Sequence, residues 1–220
     1  MANSDDSFIR EVNEEIRSEQ MQAIWKRFGR LMMAAAVLVV LGTAGKVGYD
    51  YWHELSSSAS GDEFLAALNL AKENKPDEAL AALTDLEKEG FGSYPILARM
   101  RAASLQAQKG DVPAAVQAFT AIGKDSSVPE ALRDAAKLRA AYLLVDTGTY
   151  DQVAAEVEVL STTTHALRHS AREALGLSAF KAGDMVKAKT WFDQIASDPE
   201  SPRNIANRAQ MLIDLIASQG

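Results

Sequence analysis

Apolar residues fall along this chain in two regimes. From Leu31 to Gly45, 15 residues pass without a charge. Beyond residue 60 the apolar positions recur three and four apart, in bursts broken by short polar turns. The first regime predicts a membrane span, and the second predicts an all-helical globular region with no alternating strand pattern.

Counted through Tyr49, the uncharged run lengthens to 19 residues with one cation, Lys46, near its end. A spanning helix needs about 20 residues for a hydrocarbon core of roughly 30 Å, and a lysine at the margin reaches the interface by snorkelling. Trp25 and Phe28 precede the run and Tyr49, Tyr51 and Trp52 follow it, as in interfacial aromatic belts. Lys26, Arg27 and Arg30 crowd the N-terminal flank, whereas the far flank offers Lys46 alone before Asp50 and Glu54. The positive-inside rule therefore places residues 1–30 in the cytoplasm and residues 53–220 across the membrane. The acidic 30-residue leader, and the distance to the nearest small-x-small site at Ser57–Ala59, predict an uncleaved anchor rather than a signal peptide.

This divides the chain into a cytoplasmic segment (1–30), a transmembrane helix with its interface (31–52), a linker (53–61) and a globular domain (62–220). Phe8, Val12 and Ile16, then Ile24 and Phe28, repeat at four-residue spacing. They predict an amphipathic helix over 8–30, either docked on the inner leaflet or a partner, or simply solvated. Ser56 to Gly61 reads as a flexible linker. Within the span, Gly42, Gly45 and Gly48 recur at three-residue intervals. They offer either a small face for a second helix or ordinary membrane glycines.

The globular region repeats. Turns beginning at Asn74, Gly110, Gly148 and Gly183 stand 36, 38 and 35 residues apart. Five residues after each comes Ala79, Ala115, Val153 or Ala188, then Leu83, Phe119, Val157 or Phe192 four later, then Leu86, Ile122, Leu160 or Ile195 three beyond. Small, large, large at this spacing is one stripe of a helix, with the small residue where helices approach closely. Seven residues before each turn stands Ala67, Ala103, Ala141 or Gly176, which predicts a preceding helix. This unit resembles the tetratricopeptide repeat over about residues 61–197, except that its early aromatic is replaced by Glu63, Arg99, Lys137 and Arg172. Pro202 starts a last helix whose Ile205, Ala209, Leu212 and Ile216 share a face, as a cap on an open stack requires.

Composition narrows the chemistry. A net charge of -7 opposes a general nucleic-acid binder, and the absence of cysteine removes disulfides, thiolate metal sites and a cysteine nucleophile. His165 and His169 are spaced to share a helical face, but without the glutamate of a zinc protease or a third ligand. No phosphate loop or nucleophile elbow occurs. The sequence therefore predicts a non-enzyme with no catalytic residue, no cofactor and no metal.

In a repeat stack the first helices line the inner wall. Here they bring Phe64, Leu68, Met100, Leu138, Tyr142, Leu177 and Phe180, which serve either as a groove for a partner's peptide or helix or as interhelical core. The order of parts, with the aromatic cluster from Tyr49 to Glu54 closing a single span, resembles the bacterial YfgM family of ancillary SecYEG translocon subunits. That resemblance implies an inner-membrane protein with a periplasmic domain. It also implies partners in the SecYEG translocon and the periplasmic chaperone PpiD, aiding exported proteins. A structural scaffold for envelope assembly or cell division has the same fold and topology and is the alternative.

Overall fold

A computed structural model describes the backbone of residues 3–219, and the side chains of Met21 and of residues 25–218. Every regular element among these is helical. They are α1 (Asn3–Lys72), α2 (Pro76–Glu89), α3 (Tyr94–Gln108), α4 (Val112–Lys124), α5 (Glu130–Thr147), α6 (Tyr150–Val157), α7 (Arg168–Lys181), α8 (Met185–Ala196) and α9 (Arg203–Gln219). A 3-10 turn, Glu158–Ser161, follows α6. Contacts divide the chain into two compact units between Ser56 and Ser57.

In the unit ending at Ser56, the described residues from Leu31 to Leu55 are exposed on every side. Within Trp25–Lys72 the helix is long and apolar enough to cross a membrane, and none of its most apolar window is buried. Of the stripe read as an amphipathic helix, the side chains of Phe8, Val12, Ile16 and Ile24 lie outside the described residues. Phe28 is exposed, with the Arg27 guanidinium 5.6 Å from its ring centroid.

The linker expected at 56–61 is instead helix, continuous with α1. Serine and alanine sustain a helix when the surroundings supply contacts, and from Ser57 onward they do. Ser60 is buried and its hydroxyl accepts from the Phe91 backbone N–H at 2.9 Å. Gly61 lies so close to the Tyr94 hydroxyl that a Cβ there would approach within 2.8 Å.

From Ser57 onward, the end of α1 pairs with α2, α3 with α4, α5 with α6 and α7 with α8, and α9 closes the series. Four apolar clusters hold it together, each built from three consecutive helices. Ala67, Leu83 and Ala98 join α1, α2 and α3. Ala103, Phe119 and Ala136 join α3, α4 and α5. Ala141, Val157 and Leu175 join α5, α6 and α7. Ala179, Phe192 and Ile205 join α7, α8 and α9. Each pair thus completes its core with the next first helix, which makes a solenoid out of units too small to fold singly. All twelve residues of the small-large-large stripe are buried. In α9, Ile205 and Ala209 are buried on the last cluster, with Leu212 and Ile216 packed beside them.

Turn chemistry sets the helix starts. Asn74, Gly110 and Gly183 adopt left-handed φ of 61°, 89° and 80°, which glycine and asparagine accept at least cost. Gly148 does not, since its φ is -104°. It is small for a different reason: a Cβ there would meet Leu144 Cδ2 and Gln152 Oε1, each at 2.9 Å. Asp111 and Asp184 cap α4 and α8 through the backbone N–H groups of Ala114 and Lys187. Thr149 and Gln152 form a reciprocal capping box on α6.

Of the four charges standing where the repeat usually has an aromatic, Arg99 and Arg172 tie neighbouring elements together, while Lys137 meets Asp134 on its own helix. Arg99 donates to Asp125 at 2.7 Å. Arg172, only 4% exposed, donates to the carbonyls of Ser161 and Gln194. Nearby, Asp198 accepts from Arg168 and contacts His169 Nε2 at 2.8 Å. Arg168, the Glu200 backbone N–H and His169 together hold the Asp198 carboxyl well below the ordinary carboxylate range.

Candidate partner-binding groove

The first helices α3 and α5 line an open cavity of 530 Å3, to which Phe119 of α4 and Leu167 also contribute. Leu138, Tyr142 and Leu143 supply its apolar wall, and Ser104, Gln108 and Arg139 its polar margin. Ligand cavities of about 300–1,000 Å3 with a mostly apolar lining and few polar groups are typical of binding sites.

Tyr142 shows how the wall is fixed. Its hydroxyl donates to the buried Glu173 carboxylate at 2.8 Å. Arg208 of α9 grips the same carboxylate through Nε at 2.6 Å and Nη2 at 2.9 Å. Burial first, then the Glu173 charge, push the Tyr142 phenol well above its ordinary pKa, so it stays a donor. The phenol ring is thereby pinned at the cavity edge by a contact reaching through α7 to α9.

Two further cavities continue from this one. A 260 Å3 cavity shares Ser104, Gln108 and Arg139 with it and adds Leu97, Met100 and Arg101. Another, of 530 Å3, shares Ala135 and Leu167 and adds Glu130, Asp134 and His165. Asp134 is itself held by Lys137 at 3.3 Å and His165 at 3.2 Å.

Three of the seven residues expected on the inner wall line these adjoining cavities: Tyr142, and Met100 and Leu138, which also pack on the second and third clusters. The other four stand elsewhere. Phe64 packs on the first cluster, its ring centroid 6.1 Å from that of Tyr94. Leu177 and Phe180 pack on the last cluster, and Leu68 is half-buried. Gly42, Gly45 and Gly48 are exposed, and a Cβ on any of them would meet nothing within 4 Å.

The histidine pair is corrected. α7 begins at Arg168, so His165 lies in the preceding turn and shares no helical face with His169. His165 meets Asp134 while His169 meets Asp198, two carboxylates on different elements. Sequence reasoning missed Leu167, which sits in a turn with no periodicity to mark it. It also missed Arg101 and Arg139, although both stand two residues before the small residue of their repeat.

The family model of a tetratricopeptide repeat-like domain matches residues 22–217. The chain belongs to this family. Tetratricopeptide-like repeats are in general a non-catalytic fold for protein interaction, which agrees with a groove lined by apolar side chains and few polar ones. No curated protein matches the chain.

Proposed function

We propose that this protein is a membrane-tethered interaction module of the bacterial inner membrane, its repeat domain periplasmic, working beside the SecYEG translocon. The observation that carries the reading is the apolar 530 Å3 cavity on the first helices of a tetratricopeptide-like stack. The chain supplies a candidate tether as well, the exposed apolar helix within Trp25–Lys72. Orientation rests on Lys26, Arg27 and Arg30 against a cation-poor far flank. A tether confines the domain to the membrane plane and raises its effective concentration, so a weak groove suffices for engagement. The translocon and a periplasmic chaperone are proposed as partners on the resemblance of the whole layout, with segments of exported proteins as further occupants.

A photo-crosslinking residue at Leu138 or Tyr142, activated in living cells, tests this. Adducts identified by mass spectrometry are expected to contain a translocon subunit, a periplasmic chaperone or exported chains. Adducts confined to cytoplasmic proteins would overturn both topology and partners.

A further inference from the structure

The turn leading into α7 carries a histidine whose two ring nitrogens have different tasks. The backbone N–H of Leu167 donates to His165 Nδ1 at 3.1 Å. That nitrogen accepts only when it carries no proton, so the neutral ring keeps its proton on Nε2, which faces Asp134 Oδ2 at 3.2 Å. The arrangement copies an Asx-turn, in which an asparagine or aspartate oxygen takes the N–H two residues on. Leu167 is the residue this bond places. It lines both 530 Å3 cavities, with Leu138 and Tyr142 in one and Glu130 and Asp134 in the other. The His165 ring holds its N–H, and the first turn of α7 holds its carbonyl through the Ala171 N–H at 2.9 Å.

Imidazole is the side chain that changes charge between about pH 5 and 8. A protonated ring has an N–H at both nitrogens and no acceptor. Nε2–H then still meets Asp134, but the Leu167 N–H faces a second donor, and turning the ring over brings a carbon there instead. Charges stand around the ring on two helices. On α5, Asp134 faces it, Glu130 lines the same cavity, and Lys137 reaches Asp134 at 3.3 Å. On α7, Arg168 donates to the His165 carbonyl, its own charge taken up by Asp198 and Glu200. The two carboxylates favour an imidazolium, while Lys137 and the N-terminus of α7 oppose it. The His165 side chain is 25% exposed, so water delivers the proton.

We propose that His165 is a proton-operated latch on the groove. Neutral, it holds Leu167 between the two adjoining cavities; protonated, it lets Leu167 go, and the apolar cavity loses part of its wall. The latch rests on the groove reading above and adds its regulation by mild acid.

NMR of the full chain in detergent micelles tests this. Protection of the Leu167 amide against solvent exchange, relative to an unstructured amide at the same pH, is expected to fall about three- to tenfold from pH 8 to pH 5. His165→Asn keeps an acceptor at every pH, so it should hold the protection throughout. His165→Lys, a cation without an acceptor, should lack it already at pH 8. His169→Gln, on the other carboxylate, should respond as wild type does. Protection that stays constant while the His165 ring titrates, or that falls equally in His165→Asn, would overturn the latch. A blocked, uncharged heptapeptide containing leucines, followed on the Leu138 and Leu143 methyl signals, probes the groove separately. It should bind about three- to tenfold more weakly at pH 5 than at pH 8 in wild type and equally at both in His165→Asn. Wild-type binding that ignores pH would overturn the coupling of latch to groove. Methyl signals unmoved by the peptide at either pH would overturn the groove reading, while the Leu167 amide still decides the latch.

Discussion

Gly176 of α7 offers a sharp test of how tightly the last repeat is packed. A Cβ at this position would lie 2.6 Å from Cε1 of Phe192, 2.9 Å from Cζ and 3.0 Å from Cδ1. Carbon atoms settle at about 3.5–4.0 Å, so the ring must retreat by roughly 1 Å. It has nowhere to go, being wholly buried in the cluster with Ala188, Ile195 and Ile205. Overpacking of this kind costs about 1–3 kcal/mol, and alanine's better helix propensity offsets about 1 kcal/mol of it. Three short ring contacts place the cost near the upper end, for a net loss of about 1–2 kcal/mol in Gly176→Ala. At about 2–4 °C per kcal/mol for a domain of this size, the melting temperature should fall by about 2–8 °C. Thermal melts of the full chain in mild detergent, followed by circular dichroism, read this directly. Gly123→Ala is the internal control. Its Cβ would meet Lys137 Cγ at 2.7 Å, which a change of the lysine rotamer relieves at a cost that alanine's better helix propensity roughly offsets, so it should melt within a degree or two of wild type. Phe192→Leu should remove most of the penalty of Gly176→Ala when the two are combined. A Gly176→Ala protein that melts at or above wild type would refute the close approach of α7 and α8.

Two other outcomes follow from the polar ties. Removing Arg208 strands the Glu173 carboxylate, which is 4% exposed, with Tyr142 as its remaining donor. Arg208→Met should therefore destabilise by about 2 kcal/mol in urea unfolding, and adding Glu173→Gln should recover most of it; no recovery would rule out a stranded charge. Asp125 is held down to about 2 by hydrogen bonds from Ser127 and Arg99. Its folded pKa lies below the unfolded value near 4, so its contribution is present above about pH 4 and is lost as pH falls towards 2. The stability gap between wild type and Asp125→Asn should accordingly close over that window, and a gap constant from pH 7 to pH 2 would exclude the linkage.

Much of the repeat domain was legible because a solenoid is local. Each unit contacts only its neighbours, so a stripe such as Ala115, Phe119 and Ile122 recurs at a fixed period and marks both the helix and its buried face. The same locality misled at Ser56–Gly61, where composition suggests flexibility. Contacts with Ser60 and Gly61 from Phe91 and Tyr94, some 30 residues on, help keep the helix going. Gly148 carried a turn signal for the wrong reason, its close contact with Leu144 and Gln152 being invisible to a φ argument.

The candidate groove was legible in part. Periodicity nominated a wall of seven apolar residues but could not separate core from surface, since an apolar side chain obeys the same spacing on either. Packing made the separation: Phe64, Leu177 and Phe180 went to interhelical clusters, Leu138 both packs on a cluster and lines the open cavity, and Tyr142 stayed at that cavity. Charge is harder still to read along a chain. Arg99 and Arg101 look alike in the sequence, and only the fold gives Asp125 to one and leaves the other without an acid. The sequence by itself determined the helices, their period and the apolar segment, because these depend on neighbours three to seven residues away. The tertiary structure alone decided which arginines are satisfied and where an apolar wall stays open, because both depend on side chains brought together from different repeats.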